Sequence, residues 1–238
     1  PNGLTTGFAR AAQTAGVEIE RDTEVTGITV DADRIAGVTT TRGTIATPVV
    51  VNAAGPHAAR VAQLAGVNLP VEPLRRHIFI AQPPAAAVAG ADFPETHLMA
   101  IDFATSFYFH REGANILFGM GDPDEAPGFD MTVQWDFLDS VVEVALTRLP
   151  VLAEGTISHA WAGLYAMSPD ANAIIGPVEQ VKGLYLINGF SGHGFQHSPA
   201  VGRHLAALIA GHQPDVDLDS FALDRFSTGT VQPEANVI

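Results

Sequence analysis

The chain of 238 residues has no cysteine and a single lysine, Lys182. Without a thiol there is no disulfide, no thiolate nucleophile, no Cys-ligated zinc and no cofactor tethered through a cysteine sulfur. Basic residues are scarce altogether: 12 Lys and Arg stand against 26 Asp and Glu, a formal net charge of −14. A nucleic acid or an acidic membrane surface requires a basic patch to displace counterions, so neither is an expected partner. No apolar run reaches the length of a bilayer span, and no charged-then-apolar leader stands at the start. The G-x-G-x-x-G and P-loop phosphate fingerprints are missing, as is the G-x-S-x-G nucleophile elbow. The acidic stretch Asp122-Pro123-Asp124-Glu125 lacks EF-hand spacing and reads as a solvated loop. What the chain does have is 47% hydrophobic residues against 16% charged, enough to bury a core in one large or two small domains. A soluble, cytoplasmic protein is expected. The chain opens Pro1-Asn2-Gly3, without Met, and enters a helical pattern at once, which reads as a piece of a longer chain.

Apolar residues at helical spacing predict a helix over residues 3–16, closed by Gly16. Alternation predicts strands at 17–20, 24–30 and 35–41, and the β-branched run 44–55 reads as one strand buried on both faces. Residues 56–66 read as a helix with Pro56 in its first turn. Strand-like blocks at 76–80, 97–101, 106–110 and 115–119, with a loop at 83–87, predict a separate antiparallel sheet. A helix at 131–149 precedes strands at 156–167, 173–176 and 183–188, then a helix to Gly211. No element is assigned to the acidic stretch after residue 212. The fold class is α+β or α/β.

Chemistry concentrates at two strand-to-helix junctions. One is Gly189-Phe190-Ser191-Gly192-His193-Gly194-Phe195, where glycines admit a ligand to the backbone and a helix start offers N–H groups to a negative charge. A glycine-rich turn with a merely solvated helix start explains the pattern equally well. The other is Asn52-Ala53-Ala54-Gly55-Pro56. Together they suit a dinucleotide laid across strand ends, with its pyrophosphate turn outside this chain. His193, His197 and His204 share helical spacing, but no carboxylate or thiol completes a metal set, and no metal site is assigned. Tyr108 and His110 alternate with Phe107 and Phe109, so one pair faces a core and the other a wet face or a pocket wall. Arg75-Arg76 suits bidentate carboxylate binding or a surface acid.

The segment Gly183 to Phe195, followed by Ser198-Pro199-Ala200-Val201-Gly202, resembles the flavin-contacting C-terminal part of the FAD-dependent amine oxidoreductases: D-amino acid oxidase, glycine oxidase and the sarcosine oxidase β chain. Glu24-Val25-Thr26-Gly27-Ile28, Val50-Val51-Asn52-Ala53-Ala54-Gly55 and Trp161-Ala162-Gly163-Leu164-Tyr165 resemble further segments of that family, in the same order. The resemblance implies FAD contacts at Val25, Ala53, Ala54, Gly55, Gly163, Leu164 and at Gly189, Phe190, Ser191, Gly192, His193, Gly194, Phe195 and Gln196. It implies a discontinuous, partial FAD-binding domain from 1–74 and 151–226, a substrate domain at 75–150 on a mostly antiparallel sheet, and a tail at 227–238. Tyr108 and His193 take catalytic positions, and Arg76, Tyr108 and His110 substrate positions. The implied reaction is oxidation of an amine or amino acid C–N bond by hydride transfer to flavin.

The family's glycine fingerprint is absent, so FAD is expected to be non-covalent and not retained by this chain, which is expected to be inactive alone. Gln196 stands where sarcosine oxidases carry a carboxylate-binding lysine, and Gly163 where their flavin-tethering cysteine falls. The alternative is a non-catalytic subunit or interaction module of a flavoenzyme complex. A homo-oligomer or a companion subunit is the expected assembly.

Overall fold

The computed structural model describes residues 2–90, 93–94 and 98–234. In chain order, helix α1 (Asn2–Thr14) precedes strands β1 (Val25–Asp31), β2 (Arg34–Thr40), β3 (Gly43–Ala46) and β4 (Val50–Asn52), then helix α2 (Ala58–Gln63). Next come β5 (Glu72–Gln82), α3 (Ala85–Val88), β6 (Ala100–Asp102), β7 (Phe107–Glu112), β8 (Asn115–Met120) and α4 (Trp135–Arg148). The chain closes with β9 (Thr156–Met167), β10 (Ile174–Pro177), β11 (Leu184–Asn188), α5 (Gly194–Ile209) and α6 (Arg225–Thr228). Two compact units result: one from Pro1–Pro70, Ala173–Asn188 and His193–Val231, the other from Val71–Asn172, Gly189–Gly192 and Gln232–Ile238.

The first unit holds the meander β1-β2-β3 and a second sheet in the order β10-β11-β4, where β11 and β4 run parallel. Ile28, Ile35, Ile174, Leu184 and Leu186 are buried, with Ala58 and Ala62 of α2. Helix α1 forms as its periodicity predicts, yet buries no residue. The alternating stretch 17–20 adopts no regular structure, because no strand pairs with it and its side chains stay exposed. Residues 44–55 form two short strands, not one. Pro48 has no N–H for a ladder, and the Val49 amide donates to Thr47 Oγ1 (3.2 Å), turning the chain between sheets. Both strands are largely exposed rather than buried on two faces; only Asn52 is buried. After residue 212, where the sequence assigns no element, α6 buries Arg225, whose guanidinium donates to the carbonyls of Phe221 and Ala222.

The second unit is one antiparallel sheet in the order β6-β7-β8-β5-β9. Alternation decides its faces: Phe79, Phe107, Phe118 and Ile116 point to one side and bury against Val141 and Ala145 of α4. Their rings pack at centroid separations near 6 Å (Phe79–Phe118 5.8 Å, Phe107–Phe118 6.1 Å). Each buried phenylalanine contributes up to about 3 kcal/mol. Helix α4 begins at Trp135, later than the periodicity predicts, since Arg75 binds the Thr132 carbonyl and Asp130 accepts from the Thr132 amide. The 83–87 loop contains the single turn α3 after Pro84. His97, expected in a strand, lies outside the described residues. Strand β9, assigned from sequence to the 151–226 segment, pairs with β5 from Thr156 to Met167 and completes this sheet. Among the described residues, no helix is long and apolar enough to cross a membrane.

Candidate active site

Opposite the aromatic core, the second unit's sheet presents a half-buried face whose residues stand in registered rows. Gly163 and Arg76 form one row, with Gly121 beside the Arg76 guanidinium; Trp161, Ile78, Gly119 and Tyr108 form the next; His159, Ile80, Leu117 and His110 the third. Tyr165 lies beyond Gly163 on β9, two residues along the same side. Tyr108 is buried, its ring lying across β8. A Cβ on Gly119 would stand 2.4 Å from its hydroxyl oxygen, so only glycine leaves the phenol that room.

Arg76 extends its guanidinium over the Tyr165 ring, 5.3 Å from the centroid, and donates from Nη1 to the Arg75 carbonyl (3.1 Å). Burial works against the Arg76 charge, and the neighbouring phenols and acids partly oppose that effect. Burial also raises both phenols above their ordinary range, while Arg76 pulls them back. Tyr108 and Tyr165 therefore remain protonated donors at neutral pH, next to a fixed positive charge. That arrangement can hold a carboxylate by charge and hydrogen bonding together.

Arg75, one residue earlier, points to the opposite side and does different work. Its Nε and Nη2 donate to the two oxygens of Glu125 (3.1 Å each), and its Nη1 donates to Asp130 (2.7 Å). Arg75 and Glu125 are both only 7% exposed, whereas Asp130 is 64% exposed. The acidic loop is thus anchored by a buried bidentate pair and is not simply solvated, as its composition predicts; the sequence offers no sign of which arginine would reach it. Beside this pair, His77 Nε2 accepts from the Gln134 amide (3.1 Å), a bond that requires neutral imidazole there. Burial and the Arg75 charge lower its pKa.

The loop 189–192 docks at the end of β9. The Ser191 amide donates to the Ala166 carbonyl (3.0 Å) and its hydroxyl accepts from the Ser168 amide (3.2 Å). Ser191 is held at φ 50° and Gly192 at φ 98°; a Cβ on Gly192 would meet Tyr165 Cε2 at 2.6 Å. Backbone in the left-handed region at a buried serine persists only when its surroundings hold it. The loop thereby sets the position of the Tyr165 ring, which the sequence reading did not single out. Its alternation with Gly163 and Trp161 along β9 was the available signal.

In the first unit, β4 runs parallel to β11, with Asn52 registered against Leu186 and Asn188 closing β11 two residues further on; both asparagines are buried. Asn188 Nδ2 donates to the Asn52 carbonyl (2.8 Å), and Asn52 Nδ2 to the Ala58 carbonyl (2.9 Å). Asn188 Oδ1 has no hydrogen-bond partner among the described residues. Ala53, Ala54 and Gly55 follow β4, leaving small side chains at the carboxyl end of a parallel pair, the usual ligand crevice of open sheets.

The remaining expected site residues scatter. Val25 opens β1 opposite Thr40. His193 precedes α5 without capping it, its ring stacked on His197 at 6.0 Å. Phe195 and Gln196 are exposed in the first turn of α5, and Gly163 and Leu164 sit within β9. Arg76 and Tyr108 come together on the sheet face. His110 stands a row away from Tyr108, with Nδ1 against the Arg111 carbonyl (3.0 Å). Among the described residues, no three His, Asp or Glu side chains are grouped for a metal.

A family model described as FAD dependent oxidoreductase matches residues 1–208. FAD-dependent oxidoreductase domain-containing protein 1 of Xenopus laevis is 35% identical over 79% of this chain and 40% of its own length. Glycine oxidase of Pseudomonas aeruginosa is 33% identical over 90% of this chain and 56% of its own length. Among solved structures, L-proline dehydrogenase from P. horikoshii superposes with a TM-score of 0.86 at 31% identity, covering 96% of this chain and 60% of that one. The chain thus spans about two fifths to three fifths of the length of these three proteins.

Proposed function

The chain belongs to the FAD-dependent oxidoreductase family, and on that premise we propose that it serves the oxidation of an amine or amino acid at its C–N bond. The observation that carries this reading is the half-buried sheet face where Arg76, Tyr108 and Tyr165 meet, on a chain similar to a glycine oxidase and to an L-proline dehydrogenase. When bound, FAD supplies the acceptor for a hydride leaving the amine α-carbon, and the resulting imine is hydrolysed.

The residues present suit FAD. Small side chains and an unsatisfied, buried Asn188 Oδ1 lie at the ends of β4 and β11, and α5 begins with backbone N–H groups that favour negative charge. In this reading Val25, Ala53, Ala54, Gly55, His193, Gly194, Phe195 and Gln196 of the first unit hold FAD. Gly163, Leu164, Gly189, Phe190, Ser191 and Gly192 of the second do so as well. With no cysteine, the attachment is not a thioether. Because no G-x-G-x-x-G supplies a pyrophosphate turn, the 238-residue chain by itself holds FAD weakly.

The second unit is the substrate region, its limit extended past residue 150 to take in β9. Arg76 binds and orients the substrate, Tyr108 donates a hydrogen bond to it, and Ile78, Trp161, Ile80 and Leu117 form the apolar part of the face. His110 lies at the margin. His193 borders the cofactor loop and takes no proton in this scheme. The test is anaerobic mixing of the full-length protein that carries this chain, saturated with FAD, with a panel of primary, N-methyl and cyclic amino acids. Loss of the oxidised-flavin visible band with at least one of them is expected, and a band unchanged by the whole panel contradicts the reading.

A further inference from the structure

Past its last registered pair, Met167 with Glu72, β9 leaves the sheet and turns over Ser168-Pro169-Asp170-Ala171. Pro169 presets the second position of that turn, which the Ala171 amide closes on the Ser168 carbonyl (3.2 Å). Turns usually lie in solvent, yet Ser168 and Asp170 are only 6% and 3% exposed. Burying a carboxylate is costly unless hydrogen bonds meet it. Here Asp170 Oδ1 accepts from the Asn172 amide (3.2 Å) and lies 3.2 Å from the Ser168 hydroxyl, which also reaches the Asn172 carbonyl (2.6 Å). These contacts fold the turn back on Ser168 and hold Ala171 at φ 59°.

Ser191 meets this segment at two points: its amide donates to the Ala166 carbonyl, and its hydroxyl accepts from the Ser168 amide. The sheet fixes the first point, since Ala166 pairs with Pro73 of β5. The second lies beyond the last pair, where the turn closed by Asp170 takes over from the ladder. Ser191 and Gly192 both have positive φ, and Gly192 abuts the Tyr165 ring. A shift of Ser168 is therefore passed through Ser191 to the loop backbone and to Tyr165. Resting on the reading that residues 189–192 contact FAD, we propose that Asp170 is a positioning residue of the cofactor site. Its carboxylate sets Ser168, Ser168 sets Ser191, and the loop backbone is thereby held in place for the flavin.

Hydrogen exchange in the full-length protein that carries this chain, in the presence of FAD, tests the link. In Asp170→Ala the amides of 189–192 exchange about tenfold faster than in the wild type, as for loss of a hydrogen bond to a charged group, while peptides from β5 and β8 are unchanged. Asp170→Asn, which keeps an oxygen for the Oδ1 contacts, gives a smaller rise. Ser191→Ala removes the acceptor of the Ser168 amide and raises exchange in the same loop. The double variant Asp170→Ala with Ser191→Ala adds little to either single change, because both break one chain of contacts. In FAD titrations the half-saturating concentration rises about fivefold or more in Asp170→Ala, with a shifted visible band of the bound flavin, and Asp170→Asn restores both in part. An unchanged loop in Asp170→Ala, a rise shared equally by β5 and β8, or additive effects in the double variant overturns the proposal. Should Asp170→Ala not fold, an unchanged loop in Ser191→Ala overturns it as well. Faster loop exchange with FAD affinity and spectrum unchanged keeps the hold of Asp170 on the loop and removes the reading that the loop contacts flavin, whereas weakened FAD binding with an unchanged loop does the reverse.

Discussion

The two units solve the problem of burial differently. The second gathers large aromatic side chains on one face of a single antiparallel sheet and leaves the other face to Arg76, Tyr108, Tyr165, His110, His159 and a set of apolar residues. The first divides its strands between two small sheets, packs alanines of α2, and carries an amphipathic helix α1 that buries nothing, with Phe8 53% exposed. Side chains carry the chemistry in the second unit, while the first offers backbone and small residues at strand ends. A rigid aromatic core suits the former, because a binding face works only when its side chains are held in place. A ligand crevice made of backbone needs close approach more than bulk.

Core truncation should separate the units most sharply. Phe118→Ala is expected to cost about 3–5 kcal/mol, whereas Phe8→Ala in α1 should change stability by less than about 0.5 kcal/mol; urea unfolding monitored by circular dichroism compares them. Similar costs would mean that α1 is packed after all. The two acids on Arg75 should also differ. Glu125→Ala, which removes the bidentate partner of a buried guanidinium and leaves it only Asp130 and the Thr132 carbonyl, should cost about 3 kcal/mol, and Asp130→Asn, at an exposed rim, less than about 1 kcal/mol. Equal effects in thermal melts would remove the distinction between the pair's buried and exposed arms.

Gly192→Ala meets both an unfavourable φ and the Tyr165 ring, and should cost about 1–3 kcal/mol. It should also weaken substrate binding on the sheet face, while Gly211→Ala, also at positive φ but with open space around it, leaves binding unchanged.

The smallest effect is a pH dependence. Native His77 has a lowered pKa, so as pH falls below about 6.5 the unfolded chain takes up a proton that the native state resists. Its contribution to stability is complete above that pH and declines as pH falls towards the native value. Urea midpoints near about pH 7.5 and about pH 5.5 should therefore differ more in the wild type than in His77→Gln. An equal or larger difference in the variant would assign the acid sensitivity to other groups.

Much of this organisation was legible in the residues. Alternation placed Phe107 and Phe109 opposite Tyr108 and His110, and small-residue junctions marked the ends of β4 and β11, because both signals are local. Pairings between distant segments were not. The Arg75–Glu125 bridge spans 50 residues of sequence, and nothing nearby distinguishes Arg75, turned to the core side, from Arg76, turned to the open face, until the register of β5 is known. The same holds for β9, whose residues read as a strand but whose partner, β5, lies some 80 residues earlier. The role of Tyr165 depends on Gly192 and Arg76, both brought to it by the fold, and is not visible in the local sequence.

The most direct test compares Arg76→Gln with the wild type in the full-length protein that carries this chain, at saturating FAD, following anaerobic bleaching of the flavin band by an amino acid that reduces it. The account predicts that half-saturation rises by about tenfold or more, as expected for loss of a charge-assisted contact, while affinity for FAD itself is unchanged. An Arg76→Gln protein that bleaches at wild-type concentrations of amino acid would contradict it.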